Sequence, residues 1–222
     1  MKSMNAAPLN RGRIGHIVLV ASLVCISCAS STAVAQADMP WTKVKCQVRQ
    51  LDEQQMKRWS PDTPILKLMK SIQVCDYQAA LQLIDSGVDL NFEDERGHTP
   101  LALAITFGEN SVIRELLTHG ADPNRTSRKT SRGTALMGAA LTGNLEGTRL
   151  LLENGAKPDM VNVYKSTALM YAAEGGETEI VRLLMAHGAD PRLRDEFGKT
   201  ARDSAISANH WEIVPLLEPS AR

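Results

Sequence analysis

The fold turns on Gly97-His98-Thr99-Pro100-Leu101-Ala102-Leu103-Ala104, continued through Gly108 to His119-Gly120-Ala121-Asp122-Pro123-Asn124. Thr99 is a residue that caps a helix. Pro100 stands at the first helical position, where no amide hydrogen is needed. Gly108 interrupts the chain before a second apolar run, Val112-Ile113 with Leu116-Leu117. Gly120 suits a left-handed helix C-cap, and Pro123 forbids continuation. The segment therefore predicts helix, tight turn, helix, hairpin-like loop.

Working outward, the same landmarks return. Gly87, Gly120, Gly155 and Gly188 are spaced by 33, 35 and 33 residues, and Thr99, Thr134, Thr167 and Thr200 by 35, 33 and 33. Two independent markers share one period and place the same two-residue insertion in the same gap, which identifies a repeat array. Small residues recur on the first helix (Leu101/Leu103/Ala104, Leu136/Ala139/Ala140, Leu169/Ala172/Ala173) and larger ones on the second (Leu150-Leu151-Leu152, Ile180-Val181 with Leu183-Leu184). Composition agrees. Aromatics are 4% of the 222 residues while 43% are hydrophobic, a balance for thin helical layers rather than a β-sandwich.

These residues resemble the ankyrin repeat. Gly97 through Asn124 follows that family's pattern almost position by position, and the Thr-Ala-Leu-Met variants at 134–137 and 167–170 look like the form common in bacterial members. The resemblance implies an all-α solenoid of helix-turn-helix units joined by hairpin loops, about five units including two degenerate caps. Its expected organisation is a leader at 1–37, an extension at 38–60 and a repeat domain at 61–222, with units near 61–93, 94–128, 129–161, 162–194 and 195–218. The chain departs from the family pattern in three ways. Ala102, Met137, Met170 and Asp203 replace the usual histidine, Lys165 replaces a loop glycine, and Gly133 is displaced by one position. Arg202-Asp203-Ser204 gives the last unit a polar face, as a terminal repeat requires, and Pro215 falls early in its final helix.

The first 37 residues read as an address. Lys2, Arg11 and Arg13 precede the apolar run Ile17–Ile26, and Ala33-Val34-Ala35 and Ala35-Gln36-Ala37 fit small-x-small cleavage. A cleaved secretory signal peptide and a periplasmic location are expected; an uncleaved anchor, or a lipoprotein through Cys28, are the alternatives. Cleavage turns 25 basic and 25 acidic residues into 22 and 25, a mildly acidic mature chain. It leaves Cys46 and Cys75, readable as one disulfide or as two separate buried thiols. A disulfide would staple the extension, whose Leu51, Met56 and Trp59 predict one more helix, to the first unit.

No phosphate loop, Ser/His/Asp set or metal-ligand cluster is present, so neither enzyme nor cofactor is expected. His119 and His187 repeat in phase just before C-cap glycines and read as helix ends, not metal ligands. Glu93-Asp94-Glu95 and Asp195-Glu196 read as solvated hairpin tips, Met137 and Met170 as packing. The resemblance instead implies a concave protein-binding surface of hairpin tips and first-helix faces. Its phase selects Glu95, Arg96, His98, Phe107, Arg128, Lys129, Arg132, Leu141, Tyr164, Lys165, Glu174, Arg194, Glu196 and Phe197, with Phe107, Leu141 and Tyr164 expected to face solvent. The basic run Arg125, Arg128, Lys129, Arg132 would steer an acidic patch or form a solvated loop. The expectation is a monomeric, non-catalytic module that docks a folded protein and binds neither nucleic acid nor, after cleavage, membrane. Its role would be an inhibitor or immunity-type partner. The alternative is a modulator or scaffold for an envelope or oxidative-stress enzyme, and an enzyme of unrecognised type comes third.

Overall fold

The computed structural model describes residues 63–127 and 133–218. The leader, the 38–60 extension with Cys46, and Arg128, Lys129 and Arg132 lie outside the described residues. Among the described residues there are nine α-helices and no strand: α1 (Pro64–Gln73), α2 (Tyr77–Asp85), α3 (Pro100–Phe107), α4 (Asn110–Thr118), α5 (Ala135–Leu141), α6 (Leu145–Glu153), α7 (Ala168–Gly175), α8 (Thr178–Ala186) and α9 (Ala201–Ser207). A 3-10 turn, Val214–Leu217, closes the last unit.

Four first helices start alike. The hydroxyls of Thr99, Thr134, Thr167 and Thr200 accept from the amides of Ala102, Met137, Met170 and Asp203 at 3.1, 3.3, 3.3 and 3.3 Å. Each such cap is worth about 1 kcal/mol. The turn between the two helices of a pair needs one left-handed residue. Gly108, Gly143 and Gly176 supply it, with φ of 72°, 67° and 77°, while Cys75 and Asn209 hold the same register in the end units with φ of 61° and 65°.

Odd-numbered helices stack on one another as one layer, and α2, α4, α6 and α8 stack as a second. Ala104, Ala139, Ala140, Ala172, Ala173 and Ala205 are wholly buried in the first layer. Their small side chains let neighbouring helices approach closely. Ile113, Leu116, Leu151, Ile180 and Leu184 fill the second layer, and Met137 and Met170 are buried packing residues as expected.

Two details differ from the sequence expectation. The final unit ends in the 3-10 turn instead of a second α-helix: Pro215 has no amide to donate, and Ile213 and Leu217 are buried without a longer helix. Phe107 is half-buried against the core. It stands eight residues after its capping Thr99, whereas Leu141 and Glu174 stand seven after theirs. One residue is about 100° around a helix, so Thr106 and not Phe107 shares the exposed register of Leu141.

Candidate protein-binding surface

Three hairpin tips are built on one plan. Each begins with a buried side chain, Asp94, Asn162 or Asp195. Its Oδ1 accepts two amides across the turn. Asp94 holds Arg96 and His98 at 2.9 and 2.7 Å, Asn162 holds Tyr164 and Ser166 at 2.9 and 3.0 Å, and Asp195 holds Phe197 and Lys199, both at 2.9 Å. Main-chain bonds close the same turns, from the amides of Asp94, Asn162 and Asp195 to the carbonyls of His98, Ser166 and Lys199. The fourth tip residue is left-handed: Gly97, Gly198 and, at φ 56°, Lys165.

The acids Asp94 and Asp195 are therefore not solvated tip residues, as the sequence led us to expect. They are buried because a carboxylate that collects backbone amides replaces its water. Asn162 shares their register, and that spacing was the available signal. Asn162 also donates through Nδ2 to the Tyr171 hydroxyl at 2.9 Å, tying its tip to α7. Burial pushes the Tyr171 phenol above its ordinary range. Sequence reasoning missed Tyr171 as a tip-positioning residue.

With the turn held this way, the second and third residues of each tip project. Glu95, Arg96, Val163, Tyr164, Glu196 and Phe197 are all exposed, Tyr164 by 44% and Phe197 by 65%. Tyr164 and Phe197 occupy one register in consecutive tips, and the Glu196 amide donates to the Tyr164 carbonyl at 3.0 Å, locking the two tips together. Leu141 on α5 is 39% exposed, and Glu174 on α7 is half-buried. Lys165 and Arg194 are exposed; one Arg194 Nη donates to the Gly198 carbonyl at 2.6 Å. His98 Nδ1 sits 3.4 Å from Asp94 Oδ2.

A second ladder, not foreseen from the sequence, runs through the loops that follow the second helices. Asn91 donates to the Gly120 carbonyl and accepts from the Asp122 amide at 3.3 and 2.7 Å. Asn124 does the same with Gly155 and Lys157 at 2.9 and 2.8 Å. Asp159 accepts from the Asp190 amide at 2.9 Å. Arg192, next in the register, instead forks onto Asp190 at 2.9 and 3.0 Å, and this pairing holds the Asp190 carboxyl below its usual range. Adjacent tips and loops are thus cross-braced, and the projecting side chains stand on a rigid frame.

His119 and His187 are helix C-caps with Nδ1 2.9 Å from the carbonyls of Glu115 and Leu183. Among the described residues no group of three His, Cys, Asp or Glu side chains is placed to hold a metal ion, and no helix is long and apolar enough to cross a membrane.

Stacked helix pairs with cross-braced, variable tips define a repeat-built protein-interaction scaffold. Comparison with known proteins agrees. The family model for ankyrin repeats (three copies) matches residues 68–162 and again 136–221, and the chain belongs to the ankyrin-repeat family. It is 36% identical over 116 residues to the human SH3 and multiple ankyrin repeat domains protein 2, covering 51% of this chain and 6% of that protein. It is 36% identical over 80 residues to the human 2-5A-dependent ribonuclease, covering 36% and 10% respectively. With the E3 ubiquitin-protein ligase hecd-1 of Caenorhabditis elegans it shares 34% over 95 residues, 42% of this chain and 3% of that protein. The chain thus spans at most 10% of the length of these relatives. Ankyrin repeats are protein–protein interaction modules, and that coarse function applies to this chain.

Proposed function

We propose that the chain is an exported, non-catalytic binding protein that docks a folded protein partner on its hairpin tips and first-helix faces. The role we favour is an inhibitor or immunity-type partner of an exported enzyme, with modulation of an envelope enzyme as the competing role. The observation that carries the binding reading is the braced tip frame, in which Tyr164 and Phe197 are exposed while their backbones are fixed. Rigid aromatic side chains lose little entropy on binding and serve as anchors. The basic-apolar-small order of residues 1–37 supports export, cleavage after Ala35 or Ala37, and a periplasmic location.

An oxidising compartment would also suit a Cys46–Cys75 bond. Cys75 lies in the left-handed turn between α1 and α2. Closing a loop of that length is worth roughly 3–4 kcal/mol in the chain-entropy model.

The test is recovery of a partner from the exported fraction by the full chain and by Tyr164→Ser/Phe197→Ser, then reconstitution of the identified partner with purified protein. A partner whose enzymatic activity falls to zero at one equivalent supports inhibition, and one whose activity is merely altered supports modulation. Equal recovery by both baits sinks the proposed surface. Full-length protein confined to the cytoplasmic fraction, or two alkylatable thiols in the exported protein, rejects export and the disulfide respectively.

A further inference from the structure

The exposed apolar side chains are unevenly placed. Among the described residues the large ones are Leu141, Val161, Val163, Tyr164, Phe197 and Trp211. Val163, Tyr164 and Phe197 stand on the two tips at 162–166 and 195–199, Val161 immediately precedes the first of these, and Leu141 lies on the neighbouring α5. The tip at 94–98 carries none; Glu95, Arg96 and His98 project there.

Charge follows the same division. The 94–98 tip has Glu93 and Glu95 against Arg96. The later pair has Lys165, Arg194 and Lys199 against Glu196, because the Asp195 carboxylate is buried and already accepts two amides.

We infer that the 162–166 and 195–199 tips, with Leu141, form the docking site for an acidic segment of another protein that carries large apolar side chains. This rests on the binding reading above and narrows it to one end of the array and one partner chemistry. Tyr164 and Phe197 supply the apolar anchor on a frame that needs no ordering. Lys165, Arg194 and Lys199 form a rim that raises the association rate of an acidic segment and repels a basic one. Rim cations act at long range and are screened by salt, while the aromatics are not.

The experiment pans a random-peptide library on the full exported chain and measures the enriched peptides in solution by fluorescence anisotropy at low and high salt. Enrichment of Asp and Glu around Leu, Ile, Phe or Trp is expected. Tyr164→Ser/Phe197→Ser should weaken these peptides by about tenfold or more at either salt. Lys165→Glu/Arg194→Glu should weaken them about as much at low salt and reverse the sign of the salt dependence, while Arg96→Glu should change affinity less than about twofold. These residues are exposed, and circular dichroism melts verify that each variant folds. Basic consensus peptides, no enrichment, or peptides indifferent to all four tip substitutions overturn the inference. Binding that depends instead on Glu95 and Arg96 overturns it while leaving the interaction-module reading intact. A concentration-dependent dimer abolished by the same substitutions assigns the surface to a second copy and likewise overturns it.

Discussion

Asn162→Ala removes the centre of one tip and gives a defined cost. Asn162 is 5% exposed and makes three side-chain hydrogen bonds: it accepts from the Tyr164 and Ser166 amides at 2.9 and 3.0 Å and donates to the Tyr171 hydroxyl at 2.9 Å. Each bond contributes about 1 kcal/mol net, and a donor left buried costs more than the bond itself. The Tyr164 amide lies near the surface and regains water, so the expected loss is about 2–3 kcal/mol, read from urea unfolding followed by circular dichroism. Asn162→Asp keeps both amide acceptances, as Asp94 and Asp195 do, and the Tyr171 hydroxyl can then donate to the carboxylate. Its loss should stay below about 1 kcal/mol. Tyr171→Phe isolates the third bond, and the cycle with Asn162→Ala should return a coupling of about 1 kcal/mol. Amide exchange at Tyr164 and Ser166 should quicken in the alanine variant alone. A loss under about 0.5 kcal/mol for Asn162→Ala, or an aspartate variant as unstable as the alanine one, refutes the Asx-held tip.

Four further substitutions test the frame. Lys165→Gly relieves a left-handed φ of 56° and should raise the urea midpoint by about 0.5–1 kcal/mol equivalent, while weakening acidic peptides by removing a rim cation. Asp159→Asn supplies the donor that Asn91 and Asn124 give to Gly120 and Gly155, and should gain about 0.5–1 kcal/mol if its Nδ2 reaches the Gly188 carbonyl; an unchanged midpoint counts against the ladder. Burial raises the Glu177 carboxyl above its ordinary range, with nearby His210 opposing. Its protonated form therefore favours the folded state, a contribution lost as pH rises through the raised value, so Glu177→Gln should be the more stable protein at pH 7 and lose that advantage in acid. Asp203 is the reverse case. The Thr200 amide and hydroxyl donate to it and hold its carboxyl below the usual range, so its stabilisation is present above that range and lost as pH falls. Asp203→Ala should cost about 1 kcal/mol at pH 7 and little in strong acid, measured by thermal melts across pH.

The repeat, its helix boundaries and its caps were legible because they are encoded by residue types with few alternative readings. A threonine followed by proline or alanine at fixed period starts a helix, and glycine at fixed period ends one. The tips were harder. Asp94 and Asp195 sit beside Glu95 and Glu196, and composition alone cannot separate a carboxylate that collects amides from one that faces water. Only the shared register with Asn162 distinguishes them. Phe107 failed for a rotational reason, since a one-residue error on a helix moves a side chain from solvent to core. In the last unit Pro215, expected early in a final helix, instead stands at the start of a 3-10 turn.

The tip design explains how one scaffold can carry different binding chemistry at different positions. The turn is specified by its first residue, whose side chain takes two amides, and by a left-handed fourth residue. The third residue contributes only its amide to that scheme, and Arg96, Tyr164 and Phe197 contribute it equally well. Those two amide bonds set no requirement on the type of its side chain, and a cation and two aromatics occupy one register. The same logic makes Lys165 informative. It stands where glycine is the unstrained choice, at a position whose backbone the protein nevertheless holds left-handed. Among the three described tips, the strained cation Lys165 is the one departure from the glycine at the fourth position. That departure has a rationale if the ammonium group is used in binding, and the opposed effects of Lys165→Gly on stability and on peptide affinity expose the trade directly.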